Sequence, residues 1–282
     1  MGIQLSEGEV IKRASNLPAF PRVVNDILQT LEDDGAALGT LVHFVETDPV
    51  ITARILSVAN SAALGARQSG QVRNVQMAIS LIGLARVREI ALAVSLAEFA
   101  QKSQMSAHYW EHSLAVAITA QELGRFTHFS SDHALVAGLL HDIGQLWMAR
   151  CYPLEFQMVR TAVNVGKESI CEVEQHYFGL DHCAIGSILA SQWRLPTPVI
   201  AAILYHHAPN PDLPEKLVKL ASLTHVAEVL ANALDLSERQ ENQVHHLSEE
   251  ACACIGLDWE SDLNALFGKI EARTENACRV FR

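Results

Sequence analysis

The sequence lacks the features that would place the protein in a membrane or on nucleic acid. No apolar run in the 282 residues approaches the ~18–20 residues that cross a bilayer. Residues 1–7 lack the basic and then apolar pattern of a secretory signal. Positive charge is scarce, with 21 Lys and Arg against 32 Asp and Glu and a formal net charge of −11. An acidic chain without basic clusters binds nucleic acids and anionic membranes poorly. We therefore expect a cytoplasmic protein with neither as a partner.

The cysteines lack the spacing of a structural zinc site. None of the six forms a Cys-x2-Cys pair, and Cys252 and Cys254 point to different faces of a predicted helix. We interpret the cysteines as free thiols in a reducing compartment.

Sustained alternation of apolar and polar residues is also missing, so the sequence does not predict a sheet. Helical spacing is present nearly everywhere. Asp48 and Pro49 are typical of a helix start, and apolar residues follow at helical spacing, namely Ile51, Ile55, Val58, Ala59 and Ala62. Asp132 and Asp181 can cap two further helices in the second half. We predict an all-α fold.

The chain is long enough for one large domain or two packed subdomains, and its 49% hydrophobic content suits an ordinary globular core. A polar break at residues 101–106 separates two helical blocks. We predict an N-terminal helical subdomain over residues 1–105. A second helical subdomain, over residues 106–282, carries a group of histidines.

These histidines occur in an order that suits one metal site. The chain contains 13 histidines, and seven of them are interpreted as surface or structural residues: His43, His108, His128, His133, His176, His245 and His246. Five of the others lie at predicted helix ends or on apolar faces, and one of them precedes an aspartate: His112, His141 with Asp142, His182, and His206 with His207. Imidazole and carboxylate are the ligands that zinc, iron, manganese and nickel share. Helices of a bundle commonly hold such a metal.

This order resembles the HD superfamily of metal-dependent phosphohydrolases, in particular its cyclic-dinucleotide phosphodiesterase branch, HD-GYP. The first half resembles a narrower group, the HDOD domain family, in four segments: residues 17–21, 48–56, 59–62 and 78–83. The resemblance extends over roughly residues 15–235. It implies an HD-like helical bundle with an N-terminal helical subdomain packed against it. It also implies a place in bacterial signal transduction. Most HDOD domains have lost the metal ligands and have no established activity.

The chain departs from the active hydrolase pattern in three places. Gln145 replaces the lysine that follows the His-Asp pair, and residues 208–211 (Ala-Pro-Asn-Pro) replace a Gly-Tyr-Pro segment. His225 aligns with the family's late aspartate, which leaves Asp142 as the one convincing bridging carboxylate. Two further carboxylates flank the ligand positions as candidate outer partners or bases: Glu111 and Asp181.

The sequence therefore supports two hypotheses about function. Both use one set of metal ligands: His112, His141, Asp142, His182, His206, His207 and His225. In the first, a signalling module binds a partner protein and its metal is structural or regulatory. In the second, a phosphohydrolase acts on a nucleotide or another phosphoester, and Asp142 orients a metal-bound water. The missing lysine and the single secure carboxylate favour the first, and we do not expect enzyme-like hydrolysis of cyclic dinucleotides. The choice among Fe, Mn, Zn and Ni and the oligomeric state stay open.

Overall fold

The structure, a computed structural model, describes residues 3–30, 37–65, 71–103, 107–165, 168–234, 236, 247–259 and 262–281. Every regular element in this part of the chain is a helix. The prediction of an all-α fold is confirmed. His245 and His246 lie outside the described residues, as does the end of the predicted break at residues 104–106.

The contacts between residues group the chain into two compact units, Pro18–Gln104 and Met1–Leu17 with Met105–Arg282. The chain begins with α1 (Glu7–Arg13), whose N-terminus Ser6 caps, and a 3-10 turn at Ala14–Asn16. The segment that ends at Leu17 groups with the histidine-bearing unit. One hydrogen bond between the two joins the Leu5 amide to the Phe178 carbonyl at 2.8 Å. We predicted this segment as part of the N-terminal subdomain. The division into two packed subdomains, residues 1–105 and 106–282, stays a prediction.

The described part of the unit Pro18–Gln104 consists of helices, and residues of the segments that resemble the HDOD family form some of the hydrogen bonds at these helices. The helices are α2 (Arg22–Thr30), α3 (Ala37–Thr47), α4 (Pro49–Gly65), α5 (Val75–Ile82) and α6 (Leu84–Ser103). The Asp48 carboxylate accepts from the amides of Val50 and Ile51 and so caps α4. On α4, the Asn60 amide donates to the Val72 carbonyl at 3.0 Å and accepts from the Val72 amide at 2.8 Å.

The histidine-bearing unit continues with α7 (Ala107–Phe126), α8 (Ser131–Leu140), α9 (Ile143–Cys151), α10 (Pro153–Val165), α11 (Ile170–Phe178), α12 (His182–Gln192), α13 (Thr197–Tyr205), α14 (Glu215–Ala233), α15 (Glu249–Ile255) and α16 (Asn264–Phe281). The helix α7 packs against α8, α14 and α16, while α12 packs against α9 and α13. Among the described residues, none of the helices combines the length and the apolar character that a bilayer crossing needs.

One glycine allows two of these helices to begin side by side. A Cβ atom at Gly144, near the start of α9, would lie 2.1 Å from the backbone oxygen of His182 at the start of α12. A side chain there is incompatible with the packing. The close approach brings the residues just before α9 next to the first residue of α12, and these are the residues of the candidate site.

Candidate metal centre

The predicted site residues lie where helices begin and end. His112 lies on α7, His141 follows α8, Asp142 precedes α9, and His182 is the first residue of α12. The pair His206 and His207 follows α13 directly. His112, His141, His182 and His206 are 0% exposed and Asp142 is 1% exposed. Burying so many polar groups is unfavourable unless they interact with one another or with a bound cation.

Backbone carbonyls fix the orientation of two of the rings. His141 Nδ1 lies 2.7 Å from the Gly138 oxygen, and His206 Nδ1 lies 2.8 Å from the Ile203 oxygen. A carbonyl only accepts hydrogen bonds, so Nδ1 carries the proton in each ring. In the neutral imidazole, Nε2 then presents a lone pair toward the centre. This is the arrangement that metal-binding histidines usually have.

A buried carboxylate holds the third ring. The Glu174 side chain, on α11, accepts through Oε2 from His182 Nδ1 at 2.6 Å and from the His182 backbone amide at 2.8 Å. His182 Nε2 is therefore the nitrogen left for the centre. The sequence analysis did not find Glu174. It lies eight residues before His182 on another helix, and only the packing of α11 with α12 joins them.

The two oxygens of Asp142 face different pairs of histidines. Oδ2 lies 3.4 Å from His141 Nε2 and 3.9 Å from His112 Nε2. Oδ1 lies 3.4 Å from His182 Nε2 and 3.9 Å from His206 Nε2. Two ligand groups meet at this carboxylate, His112–His141–Asp142 and Asp142–His182–His206. One carboxylate between two pairs of imidazoles has the form of a bridge between two cations.

The nitrogen atoms fit a metal better than they fit one another. His182 Nε2 lies 3.3 Å from His206 Nε2 and 3.1 Å from His207 Nε2. A proton on His182 can serve one of these contacts only. His141 Nε2 is buried and has no hydrogen-bond partner within the described residues. Ligand nitrogens at ~2.0–2.1 Å from one cation stand ~3.0–3.4 Å apart, so the spacing and the donor set suit a divalent transition metal.

The structure adds a second carboxylate that the sequence analysis missed. Glu228, on α14, is buried and forms a candidate ligand group with His141 and His206. Burial opposes its charge, but the imidazoles of His207, His206 and His141 outweigh burial and hold the pKa of Glu228 far below its ordinary value. Asp142 belongs to two ligand groups and Glu228 to one, and the interpretation of Asp142 as the bridging carboxylate stays a prediction. The signal was a glutamate three residues after His225 in an otherwise apolar stretch of helix.

His225 lies beside the centre, with both ring nitrogens engaged by the backbone. Its Nδ1 donates to the His206 carbonyl at 2.8 Å, and its Nε2 accepts from the Ser248 amide at 3.3 Å. In this conformation the side chain holds the backbone of His206 in place, as an outer support does. The structure brings the other six predicted ligands together. The role of His225 as a ligand stays a prediction.

Three residues beside the predicted ligands have different surroundings. The Gln145 amide, which stands in place of a lysine, donates to Asp142 Oδ1 at 2.9 Å. The Asp181 carboxylate accepts from the Ala184 amide and caps α12, so its position serves the helix start. Glu111 is buried on α7.

The rings differ in their affinity for protons. At His206, burial and the neighbouring His207 lower the pKa well below its ordinary value. At His182, burial opposes the charge, but the Glu174 carboxylate outweighs it and raises the pKa well above its ordinary value. At His141, burial is outweighed in the same way by Asp142, and the pKa is raised. A metal ion would displace protons from His141 and His182, so its binding weakens as the pH falls.

The fold and this centre define an all-helical protein with a buried histidine–aspartate cluster. The family model of the HDOD domain matches residues 17–209 of this chain. The chain belongs to the HDOD domain family, as its four sequence segments suggested. The matched range contains all the predicted ligands except His225, and it ends before Glu228.

Known proteins share this fold at low sequence identity. An HDOD domain protein of unknown function from Geobacter sulfurreducens is 23% identical, with a TM-score of 0.71 over 96% of this chain and 99% of that one. A protein of Shewanella amazonensis SB2B, named as a proposed phosphohydrolase, is 23% identical, with a TM-score of 0.68 over 95% of both chains. An uncharacterised protein of Treponema pallidum (strain Nichols) is 24% identical over 235 residues. The match covers 80% of this chain and 44% of that relative, so the chain spans less than half its length.

Proposed function

We propose that this chain is a regulatory module of bacterial signal transduction whose centre binds a divalent transition metal. The metal's task is to hold the helices around it in a shape that a signalling partner protein binds. The observation that carries the proposal is the burial of His112, His141, Asp142, His182 and His206, each 0–1% exposed. An ion held by ligands enclosed to this degree lies among the helices of the core, where it can join them as a structural metal does.

The ligands come from distant parts of the chain, which supports a role in shape. His112, Asp142 and His182 lie on or beside α7, α9 and α12. Cations in the two groups that share Asp142 would join these helices, and the free energy of metal binding adds to that of folding. Loss of the metal would loosen the arrangement of these helices. The surface that they present to a partner would then depend on metal occupancy.

The first experiment measures metal and stability together. The protein is purified without chelator or affinity tag, and its Fe, Mn, Zn and Ni contents are determined by elemental analysis. We expect stoichiometric metal, a lower Tm after chelation and recovery of the Tm on reconstitution. His141→Ala should lower both metal content and Tm, whereas His176→Ala, on α11 outside the cluster, should change neither. The proposal would be contradicted if the purified protein contained no metal and its Tm did not change when metal was added.

A second candidate function is a metal-dependent phosphohydrolase, and Glu228 is the observation that favours it. With Asp142 it supplies two buried carboxylates, which two-metal hydrolases use to neutralise and position their ions. In that case the bound metal would acidify a water, and Asp142 would orient it. Against this function, Gln145 takes the place of the lysine and its amide is already bonded to Asp142. No side-chain cation then stands there to steady a phosphate.

A phosphoester panel separates the two functions. Metal-loaded protein is incubated with nucleotides, generic phosphoesters and cyclic di-GMP, and product is followed over time. We expect no turnover near ~1 s⁻¹, the low end of typical enzyme rates. Turnover at that rate, lost in Asp142→Asn and kept in Asp181→Asn, would establish the hydrolase instead.

A further inference from the structure

Two thiols lie at one flank of the histidine–aspartate centre. Cys171 is near the start of α11 and Cys183 is near the start of α12. Ligand atoms of Cys171, Cys183, His182 and His207 all lie within 4.8 Å of one another. The two cysteines are twelve positions apart in the sequence and on different helices, so no ligand spacing in the sequence indicates the pair.

The measured distances suit tetrahedral coordination by two sulfurs and two nitrogens. Cys183 Sγ lies 3.5 Å from His182 Nε2, and His207 Nε2 lies 3.1 Å from His182 Nε2. For zinc with Zn–N of ~2.1 Å and Zn–S of ~2.3 Å, tetrahedral angles place N and S ~3.6 Å apart and two nitrogens ~3.4 Å apart. These two distances are close to those that one ion requires, and the remaining donor pairs lie within 4.8 Å of one another.

The environment of this flank differs from that of the buried centre. Cys171 and His207 are partly exposed, whereas Cys183 and His182 are buried. This flank is therefore more open to solvent than the ligands around Asp142, which are 0–1% exposed. Thiolate ligands also favour soft cations, while the carboxylate-containing groups around Asp142 favour harder ones.

We propose that Cys171, Cys183, His182 and His207 form a second metal site, which takes a thiophilic divalent cation such as Zn²⁺. On binding, each thiol loses its proton to solvent as its sulfur bonds to the metal, so the two thiolates balance the charge of the ion. No electron is transferred. The donor set is that of closed structural zinc sites, two sulfurs and two nitrogens.

The site shares one atom with the centre around Asp142. Glu174 holds His182 Nδ1, so Nε2 is the only nitrogen of this ring that can bind a metal, and its single lone pair serves one ion. Zinc at the thiol site therefore removes His182 from the group Asp142–His182–His206. His182 can therefore bind an ion at the thiol site or at the Asp142–His182–His206 group, but not at both. A soft cation at the flank would weaken metal binding at that position of the centre.

Cobalt reports the proposed site directly, because thiolate–cobalt bonds give an ultraviolet charge-transfer band that nitrogen and oxygen ligands do not give. Reduced, metal-free protein is titrated with Co²⁺ and then with Zn²⁺. We expect the band to rise to a stoichiometric end point and zinc to abolish it. X-ray absorption at the zinc edge of the wild-type protein should show two sulfur neighbours. A zinc environment without sulfur would overturn the proposal.

Matched variants assign the band. Cys171→Ser and Cys183→Ser should each weaken zinc binding by at least ~100-fold, the upper end of the cost of losing a supporting residue. Cys254→Ser, a partly exposed thiol outside the cluster, should keep the band. A band that survives in both cluster variants would overturn the proposal.

The proposal stands apart from the proposed function, and Asp142→Asn separates them. This variant should lose metal at the buried centre but keep the thiolate–cobalt band, provided that its circular dichroism shows a folded protein. Loss of the band in folded Asp142→Asn would show that no independent thiol site exists. A wild-type protein with the band but without metal at His112–His141–Asp142, the group that does not use His182, would support this site and refute the proposed function.

Discussion

Replacing Glu174 by glutamine tests how the ring of His182 is oriented. Among the predicted ligands in the described residues, His182 is the one that forms hydrogen bonds with Glu174. Its Oε2 accepts both from His182 Nδ1 at 2.6 Å and from the His182 backbone amide at 2.8 Å. The second oxygen, Oε1, is buried without a hydrogen-bond partner in the described residues. In Glu174→Gln, the amide nitrogen must either occupy the Oε1 position without an acceptor or face the two donors of His182.

Both outcomes weaken the centre. A buried donor without an acceptor costs ~1–3 kcal/mol, and the loss of negative charge makes the His182 ring a poorer ligand. Loss of an outer partner of this kind typically lowers metal affinity by ~10–100-fold. Since each tenfold change in affinity corresponds to ~1.4 kcal/mol, we expect a loss of ~1.4–2.8 kcal/mol in metal binding free energy.

The assay is a competition titration of metal-free protein against a chromophoric chelator at fixed pH. Glu172→Gln is the matched control, since Glu172 lies on the same helix but bonds to Ser169 at the helix start and is exposed. We expect its affinity to equal that of the wild type. An affinity for Glu174→Gln within ~2-fold of the wild type, or an equal loss in Glu172→Gln, would refute the assignment of Glu174 as the residue that orients His182.

Three further outcomes are expected. Asn60→Ala removes the side-chain bonds to Val72 and should lower the free energy of unfolding by ~1–3 kcal/mol, measured in urea, whereas Asn60→Asp should retain the bond from the Val72 amide and lose less. Gly144→Ala places a methyl group against the His182 backbone and should cost ~1–3 kcal/mol or more together with bound metal, whereas Gly39→Ala, which meets nothing within 4 Å, should cost neither. In chelated protein, the Glu174 carboxylate raises the pKa of His182 and so stabilises the folded state. This stabilisation is fully present below the ordinary histidine pKa of ~6.5. It is lost as the pH rises through the raised pKa of the folded state. Tm measured across this range should therefore fall more in the wild type than in Glu174→Gln, and equal slopes would contradict the assignment.

The predicted ligands could be found in the sequence because each one interrupts an apolar helical pattern. His112, His141 and His182 each lie on or next to a run of apolar residues, where an imidazole is out of place unless something binds it. The order of these residues along the chain also resembled a known family. Position, residue type and this resemblance together selected the set, six of whose seven members the structure brings close to one another.

Glu174 and Cys171 could not be found in this way, because their roles depend on which helices pack together, and the same packing decides that Glu228 reaches the cluster. A sequence gives the angle of a residue around its own helix axis, at ~100° per residue, but not the neighbour that this face meets. The helix α14 packs against α7, α8, α13 and α15, so several faces of it are buried. The family pattern drew attention to His225, and the carboxylate that reaches the cluster is three residues further along.

The charges around the centre explain how the protein can fold before any metal is bound. Asp142, Glu174 and Glu228 are all at most 3% exposed, and three buried carboxylates without compensation would be severely destabilising. Against the effect of burial, Asp142 and Glu174 raise the pKa values of His141 and His182, and the nearby imidazoles lower the pKa of Glu228, so each carboxylate favours a proton on a neighbouring ring. A cation would replace these protons rather than fill a neutral cavity. Metal binding at this centre is therefore an exchange of charge for charge, and the same carboxylates that attract the metal also hold the metal-free helices together.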